Sequence, residues 1–378
     1  MRIAVLNITG GGASGGHKKY LLNMLPRLAA YPEIESILCA SPAVMGADNW
    51  LPKFANITYT SCAPFRPFRH IPDKRLAAAL DAFKPDVLFI PVERYMGYKN
   101  LPVVVMLQNM APLTGTKTGA GFKELLIGVL RRYETKFALK RSASVIVPTE
   151  FVKDFLVSNS GISAKRITAI SYGHNAPSAA ARPPASFPSI GNRFIFTAGS
   201  LEAYRGIEDL IQAMPALKAK YPEMKLAIAG GARPSTIGYL DGLKYMADML
   251  KVSSEICWLG NLSQEELSWC YTNCSAFAVT SRVESFCFVA LEALTHGCNI
   301  VSSSSACLPE ILGEEAVYYK AGDASALSQA LAVVLDRDAE ARKVFFQIAR
   351  QRGSRFLWDD TARKTLDVLK QAIVAVKP

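Results

Sequence analysis

The stretch TSRVESFCFVALEALTHGCNIVSSSSACLPEIL, Thr280–Leu312, decides how this chain folds. It reads as the end of a strand, a tight loop, a helix from about Cys287 to His296 and a stop at Gly297, the residue type usual just past a helix end. A short strand and a second loop running into another helix follow. Phe288, Val289, Ala290, Leu291, Ala293 and Leu294 leave the first helix almost no polar face, so burial is expected. Glu292 lies in its middle, and a carboxylate there requires a hydrogen-bonding partner. Glu284 lies in the loop before the helix, where free N–H groups and the positive helix end favour anions.

Strand–helix alternation extends outward from this stretch through both halves of the chain, which argues for two parallel-sheet domains facing one cleft. In the first half, Ile3 to Asn7 reads as a buried strand, followed by TGGGASGGHKKYLLNMLPRLA. Gly10, Gly12 and Gly15 spell G-x-G-x-x-G between strand and helix, the setting of a dinucleotide fingerprint. That fingerprint also needs an acid at the end of the second strand, and Ser36 to Ala40 ends in Ala40-Ser41-Pro42 without one. A P-loop is excluded because His17 follows Gly16. What remains is either a glycine loop whose backbone approaches a ligand or a flexible turn. Lys74 to Phe83 reads as a helix, and Val87 to Pro91 and Val103 to Leu107 as strands. The last strand leads to Gln108 and Asn109 at the carboxyl edge of the sheet, where such sheets bind ligands. Their amides can hydrogen-bond there but cannot act as bases.

Thr114 to Arg141 is the most basic segment, with Lys117, Lys123, Arg131, Arg132, Lys136, Lys140 and Arg141 against Glu124 and Glu134. Phe122, Leu126, Leu130, Tyr133 and Phe137 recur at helical spacing. This pattern describes a helix lying on an anionic membrane, and equally a helix with its apolar face in the core. Ala143 to Pro148 is a strand, Thr149 can cap a helix from Glu150 to Val157, and Ile167 to Ser171 closes the first half. HNAPSAAARPPASFPSIGN, residues 174–192, is rich in Pro, Ala and Ser and reads as the linker.

The second half restarts with a strand at Arg193 to Ala198, then GSLEAYRGIEDLIQAM. Its helix begins at about Gly206, so Arg205 and the free helix amides would converge on a phosphate. Strands Leu226 to Ala229 and Ile256 to Leu259 end in Gly230-Gly231 and Gly260. Ser263 and Glu266 have capping-box spacing, and Ala276 to Thr280 leads back to the opening stretch.

The chain has 378 residues, enough for two domains with a core each. No apolar run of about 18 residues is present to span a membrane, and the start MRIAVLNITG lacks a signal-peptide core. The eight cysteines form no C-x-x-C pair, which fits free thiols and a cytosolic location. The net charge of +11 calls for an anionic partner. No nucleic-acid-binding signature accompanies it, which leaves anionic phospholipid, a diphosphate-bearing substrate or simply a basic surface.

With Glu284, Phe286, Glu292, Ala293, Gly297, the small-residue run Ser302 to Ser305 and Pro309-Glu310, the opening stretch resembles the E-x7-E segment of the retaining glycosyltransferases of family 4. The resemblance implies the GT-B fold: two Rossmann-like domains at 1–173 and 193–356 about a central cleft, with 357–378 as a helix crossing back to the first. It implies that Glu284 contacts the transferred sugar, that the loop amides of Ser285, Phe286, Cys287 and Phe288 meet sugar and phosphate, and that Glu292 binds the ribose. Where the family reads Gly-Phe-Gly after the first Glu, this chain reads Ser285-Phe286-Cys287. The same resemblance assigns Gly199, Ser200 and Arg205 to the diphosphate, with Ser200 standing where the family has Arg and Arg205 where it has Lys. It assigns Gly15 and Gly16 to donor phosphates and acceptor, Gly230, Leu259 and Gly260 to the nucleoside, and Gln108 and Asn109, near a family His, to sugar or acceptor. Glu284 and Arg205 would carry catalysis, with same-face attack and without a metal or cofactor. The expected activity is transfer from a nucleotide-diphosphate sugar to a glycan or lipid-linked glycan in bacterial surface polysaccharide (lipopolysaccharide) biosynthesis. The basic segment 117–141 would rest on the cytoplasmic membrane face. A non-catalytic nucleotide-sugar-binding protein, or a sugar-nucleotide epimerase of the same fold, is the alternative.

Overall fold

Short apolar runs alternate with amphipathic ones, and each run becomes a strand or a helix in a computed structural model that describes residues 1–9, 15–114, 122–185 and 193–376. The chain divides into two compact units, Met1–Gly173 with Leu357–Pro378, and His174–Phe356. The first unit holds strands β1 (Arg2–Leu6), β2 (Ser36–Pro42), β3 (Ile57–Cys62), β4 (Val87–Ile90), β5 (Val103–Met106), β6 (Ser144–Val147) and β7 (Ile167–Ala169). Its helices are α1 (Gly15–Ala29), α2 (Lys74–Phe83), α3 (Ala111–Thr114), α4 (Phe122–Arg141) and α5 (Glu150–Ser160). The second unit holds β8 (Phe194–Ala198), β9 (Lys225–Ala229), β10 (Ile256–Gly260), β11 (Ala276–Val279), β12 (Ile300–Ser303) and β13 (Ala316–Tyr319). Between and after these run α6 (Ile207–Lys220), α7 (Ile237–Met249), α8 (Gln264–Asn273), α9 (Phe288–Thr295), α10 (Leu308–Leu312), α11 (Ala324–Leu335) and α12 (Ala339–Gly353). The last helix, α13 (Trp358–Val376), belongs to the first unit.

Both sheets are parallel throughout. Their orders are β3-β2-β1-β4-β5-β6-β7 and β10-β9-β8-β11-β12-β13. In each, the chain runs outward from a central strand to one edge, then returns to that strand's other side. This reversal opens a crevice above the carboxyl ends of β1 and β4 in one unit and of β8 and β11 in the other. These are the two parallel-sheet α/β domains that the alternation in the sequence implies. The central strands β1, β4, β5 and β8 are almost wholly apolar and buried, as strands covered by helices on both faces must be.

Three departures from the sequence reading have physical causes. Strands β3, ITYTSC, and β13, AVYY, are edge strands carrying polar or half-exposed residues, so they lack the apolar signature of the inner strands. Gly15 and Gly16 are not loop residues but open α1; Gly10 and Gly12 lie outside the described residues. In α4 the buried positions are Glu134, Thr135, Ala138 and Leu139, whereas Leu126 and Tyr133 of the expected apolar stripe are exposed. Among the described side chains, the helix therefore packs in the core through its second half. Lys117 and the side chains of Phe122, Lys123 and Glu124 lie outside the description.

Helix α13 is tied to its unit by side chains at its start. Thr361 Oγ1 donates to Ser171 O at 2.7 Å, and Arg27 Nε pairs with Asp359 Oδ1 at 2.7 Å. Trp358 stacks with Tyr172 and meets Tyr20 edge-on. Gly173 makes this docking possible, since a Cβ there would fall 2.1 Å from Trp358 N.

His17 on α1 is buried, and burial lowers its pKa to about 4, with a hydrogen bond to the Gln108 side chain pulling the other way. The folded state therefore holds it neutral, while the unfolded chain takes up a proton near pH 6.5. Its contribution is complete above pH 6.5 and is lost as pH falls toward 4, by about 3 kcal/mol. Urea unfolding at stepped pH should show the stability gap between wild type and His17→Gln closing by that amount across this window. A gap independent of pH would mean that His17 is not held neutral.

Candidate functional site

In the second unit, the carboxyl ends of β8, β9 and β11 and the start of α9 enclose a cavity. Thr197, Ala198, Gly199, Ser200, Arg205, Ile207, Ile228, Ala229, Ala278, Val279, Thr280, Ser281 and Val289 line it. Its wall depends on backbone approaching backbone. Gly199 N donates to Ala229 O at 3.0 Å and Gly230 N to Gly260 O at 2.7 Å. Gly230 has φ +139, and a Cβ there would sit 1.8 Å from Gly199 O. These bonds tie the loops after β8, β9 and β10, which carry Gly199, Gly230 and Gly260, to one another beside the cavity.

Arg205 closes a short 3₁₀ turn, Ala203–Arg205, just before α6. The turn is clamped by Thr280 Oγ1, which donates to Arg205 O at 2.7 Å. It is released by Gly206 at φ +63, where a Cβ would meet Thr280 O at 2.5 Å. The guanidinium is thereby aimed at Glu284: Arg205 Nη1 lies 2.6 Å from Glu284 Oε1. Ser281 Oγ donates to that same oxygen at 2.9 Å. Burial works against the Arg205 charge, yet Glu284, with Cys287 and Tyr204 behind it, holds its pKa above the ordinary value. Arg205 Nε is buried without a hydrogen-bond partner among the described residues. A guanidinium half satisfied in this way can donate to an incoming anion.

Cys287 adopts φ 75, ψ 78 at the N-cap of α9, a left-handed conformation that disfavours any residue with a Cβ. Its sulfur lies 4.0 Å from Arg205 Nη1, and burial raises the thiol pKa, so the group stays protonated and is no nucleophile. Phe286 is buried, in edge contact with Phe288 and Phe356. The serine run holds the loop from behind, with Ser303 Oγ donating to Ser281 O at 2.6 Å. Helix α9 is one residue shorter at each end than expected, and Gly297 at φ +73 ends it as foreseen.

The partner that Glu292 requires is Tyr271, whose hydroxyl donates to Glu292 Oε2 at 2.9 Å. Tyr271 is only 2% exposed, and burial, reinforced by Glu292, keeps its proton firmly bound. Its ring stacks on His296 at 4.9 Å and abuts Phe196 and Phe277. His296 Nδ1 faces Glu292 O at 2.7 Å; a carbonyl can only accept, so Nδ1 carries the hydrogen. In the neutral ring Nε2 then accepts from Ser268 Oγ, 2.8 Å away.

The structure thus places Gly199, Ser200, Arg205, Gly230, Leu259, Gly260, Glu284, Ser285, Phe286, Cys287 and Phe288 at or just past the carboxyl ends of β8, β9, β10 and β11 in one unit, with Glu292 further along α9; of these, Gly199, Ser200 and Arg205 line the cavity. Gly15, Gly16, Gln108 and Asn109 belong to the other unit, at the carboxyl edge of its sheet. There Asn109 Oδ1 accepts from Ala111 N at 2.9 Å and so caps α3. Among the described residues no group of His, Cys, Asp and Glu is placed to hold a metal. Tyr271, Thr280 and Ser281 escaped the sequence reading. Ser281 and Glu284 do have S-x-x-E spacing, a signal of local pairing. Nothing in the sequence links Tyr271 to a helix 21 residues away.

Comparison with known proteins matches residues 184–352 to the family Glycosyl transferases group 1 and residues 14–176 to Glycosyltransferase Family 4. The glycogen synthase of Mycobacterium tuberculosis is 31% identical over 236 residues, 61% of this chain and 54% of that protein. A serotype-specific mannosyltransferase of Escherichia coli, WbdA, is 23% identical over 333 residues, 79% of this chain and 39% of the relative. The chain thus spans about half or less of the length of the curated relatives it matches. Among solved structures, sucrose-phosphate synthase from Thermosynechococcus elongatus superposes with a TM-score of 0.76 at 17% identity, covering 99% of this chain and 100% of the other. Anabaena HepE in complex with UDP-glucose gives 0.73 at 16% identity, covering 98% and 100%. At such identities the likeness is one of fold.

Removing one partner from a buried ion pair strands the other charge. Arg205→Ala should therefore cost about 3 kcal/mol in urea unfolding, and adding Glu284→Ala should recover part of that loss. Strict additivity of the two losses would show the pair to be uncoupled.

Proposed function

The chain belongs to the glycosyltransferases of the GT-B type, and from that premise we propose that it is a retaining enzyme moving a sugar from a nucleotide-diphosphate sugar to a glycan or lipid-linked glycan. The observation that carries this reading is the Arg205–Glu284 pair, whose Arg205 lines a cavity with Gly199 and Ser200 at the carboxyl edge of a parallel sheet. Arg205 and the amino ends of α6 and α9 supply positive charge for a diphosphate. Glu292 is oriented by the Tyr271 hydroxyl, and its role is to bind the ribose hydroxyls. Glu284 contacts the transferred sugar, and Gly230, Leu259 and Gly260 flank the nucleoside. The complex of HepE with UDP-glucose supports a donor of this class.

In the proposed reaction the acceptor oxygen attacks the anomeric carbon on the face the leaving group departs from. Its proton passes to the departing phosphate oxygen as the sugar–oxygen bond to phosphate breaks. The work of the protein is to hold the partners in place and to stabilise the charge growing on the diphosphate. Arg205 does this without a metal. The roles of Gly15 and Gly16 are toward donor phosphates and acceptor, and those of Gln108 and Asn109 toward acceptor or sugar. The mannosyltransferase relative supports a polysaccharide product, and the basic segment 117–141 supports work at an anionic membrane surface. No helix among the described residues is long and apolar enough to cross a membrane.

A thermal-shift screen with UDP, GDP, ADP, CMP and dTDP identifies the base, because a ligand of the native state raises the melting temperature. Silence toward all five would overturn the reading. With the responding nucleotide, calorimetry should find binding by Glu292→Ala weaker by about tenfold or more, and by Tyr271→Phe weaker by a smaller factor. Glu284→Ala should bind that nucleotide as well as wild type or better, since Arg205 is freed, while transfer of radiolabelled sugar falls about a hundredfold. Equal affinity in wild type and Glu292→Ala would remove the ribose assignment.

A further inference from the structure

In the first unit, Phe68 stands at φ 63, in the left-handed region that residues with a Cβ resist. Its ring gains no burial in exchange and is 65% exposed, while Ile71 is 66% exposed. The ring leans on Tyr133 of α4, with centroids 5.7 Å apart. Leu126 and Val129, also exposed, continue the Tyr133 stripe toward the start of that helix. The loop is held in this pose. Buried Glu134 accepts from Phe68 N at 2.8 Å and contacts His70 Nε2 at 2.9 Å, and the His70 ring stacks on Phe137 at 4.1 Å.

The charge on this face is mainly positive, although Asp73 lines the same cleft as Arg66 and Arg69. Glu134 is turned inward. Asp73 accepts from the backbone N–H groups of Ala63, Arg75 and Leu76. Arg66, Arg69, Arg131 and Arg132 are exposed and form no ion pair among the described residues, and Arg66 and Arg69 line a cleft beside Ile71. Apolar tips ringed by arginines match a bilayer surface, where the tips enter the headgroup layer and the cations meet anionic lipid. A nucleic acid would satisfy the arginines but leave Ile71, Leu126 and Val129 without apolar cover.

We propose that the loop around Phe68, together with the exposed Leu126, Val129 and Tyr133 of α4, docks the first unit on an anionic phospholipid bilayer. This rests on the membrane reading of the basic segment and adds to it a loop outside that segment. Phe68→Gly tests it cleanly, because glycine accepts the observed φ and the fold should not suffer. The assay is flotation with phosphatidylcholine vesicles, with and without phosphatidylglycerol. Wild type should bind the anionic vesicles, and added salt should release it. Phe68→Gly should weaken that binding about tenfold at an unchanged melting temperature. The exposed pair Arg66→Ser/Arg69→Ser should weaken it about thirtyfold, roughly fivefold per charge. Wild type that ignores anionic vesicles would overturn the membrane reading itself. Wild type that binds while both variants bind equally well would overturn the role of the loop alone.

Discussion

The buried pair of Arg205 and Glu284 is the interaction on which the rest of the site depends. Neither charge is stable in that position alone, because a desolvated ion without its partner costs several kcal/mol. The pair therefore requires that two loops, one after β8 and one after β11, arrive in register. They do so because β8 and β11 are neighbours in the sheet, pairing at Ala276 with Ile195 and at Phe277 with Phe196. Thr280, the first residue past β11, then clamps the Arg205 carbonyl, and Ser281 fixes the carboxylate. The polar site follows from strand order. A chain with the same residues but β11 elsewhere in the sheet would leave both charges unpaired.

Close approach is the second constraint. The loops after β8 and β9 bring Gly199 and Gly230 so near that a Cβ on Gly230 would overlap a carbonyl oxygen. Glycine there is a steric necessity. Cys287 is the contrary case, because it adopts a conformation natural to glycine while carrying a buried thiol beside Arg205. That strain sits at the N-cap of α9, against the very cation that the site is built around. A strained residue persists where its surroundings over-determine it, and here Glu284, Arg205 and the packed Phe286 do so.

How legible this was in the sequence depended on the range of each interaction. The parallel α/β architecture could be read because inner strands such as Val103–Met106 are unbroken apolar runs. The edge strand Ile57–Cys62 could not, since its alternating polar residues face partly to solvent. The capping box of Ser263 and Glu266 is local and appears as foreseen, with Ser263 N donating to Glu266 Oε2 at 2.9 Å. The stripe on α4 was misleading because periodicity reports a face without saying what covers it. Leu125, Leu126, Ile127, Val129 and Tyr133 lie exposed, whereas Glu134, Thr135, Ala138 and Leu139 are buried. Tyr271 was illegible for the converse reason, as its meaning lies entirely in a contact with another helix.

The two glutamates of Thr280–Leu312 show how one motif supports different chemistry at its two ends. Glu284 is held by a cation and a hydroxyl on the same oxygen. Glu292 is held by a phenol that does not give up its proton, backed by an imidazole whose hydrogen is committed to a backbone carbonyl. A cation at the second position would compete with the neutral hydroxyls of a ligand for the carboxylate, whereas a neutral phenol orients it. A phenol at the first position could not offset the charge of Arg205. Exchanging the two partners would therefore weaken both ends at once, so the assignment of cation to the loop and phenol to the helix is itself part of how the site works.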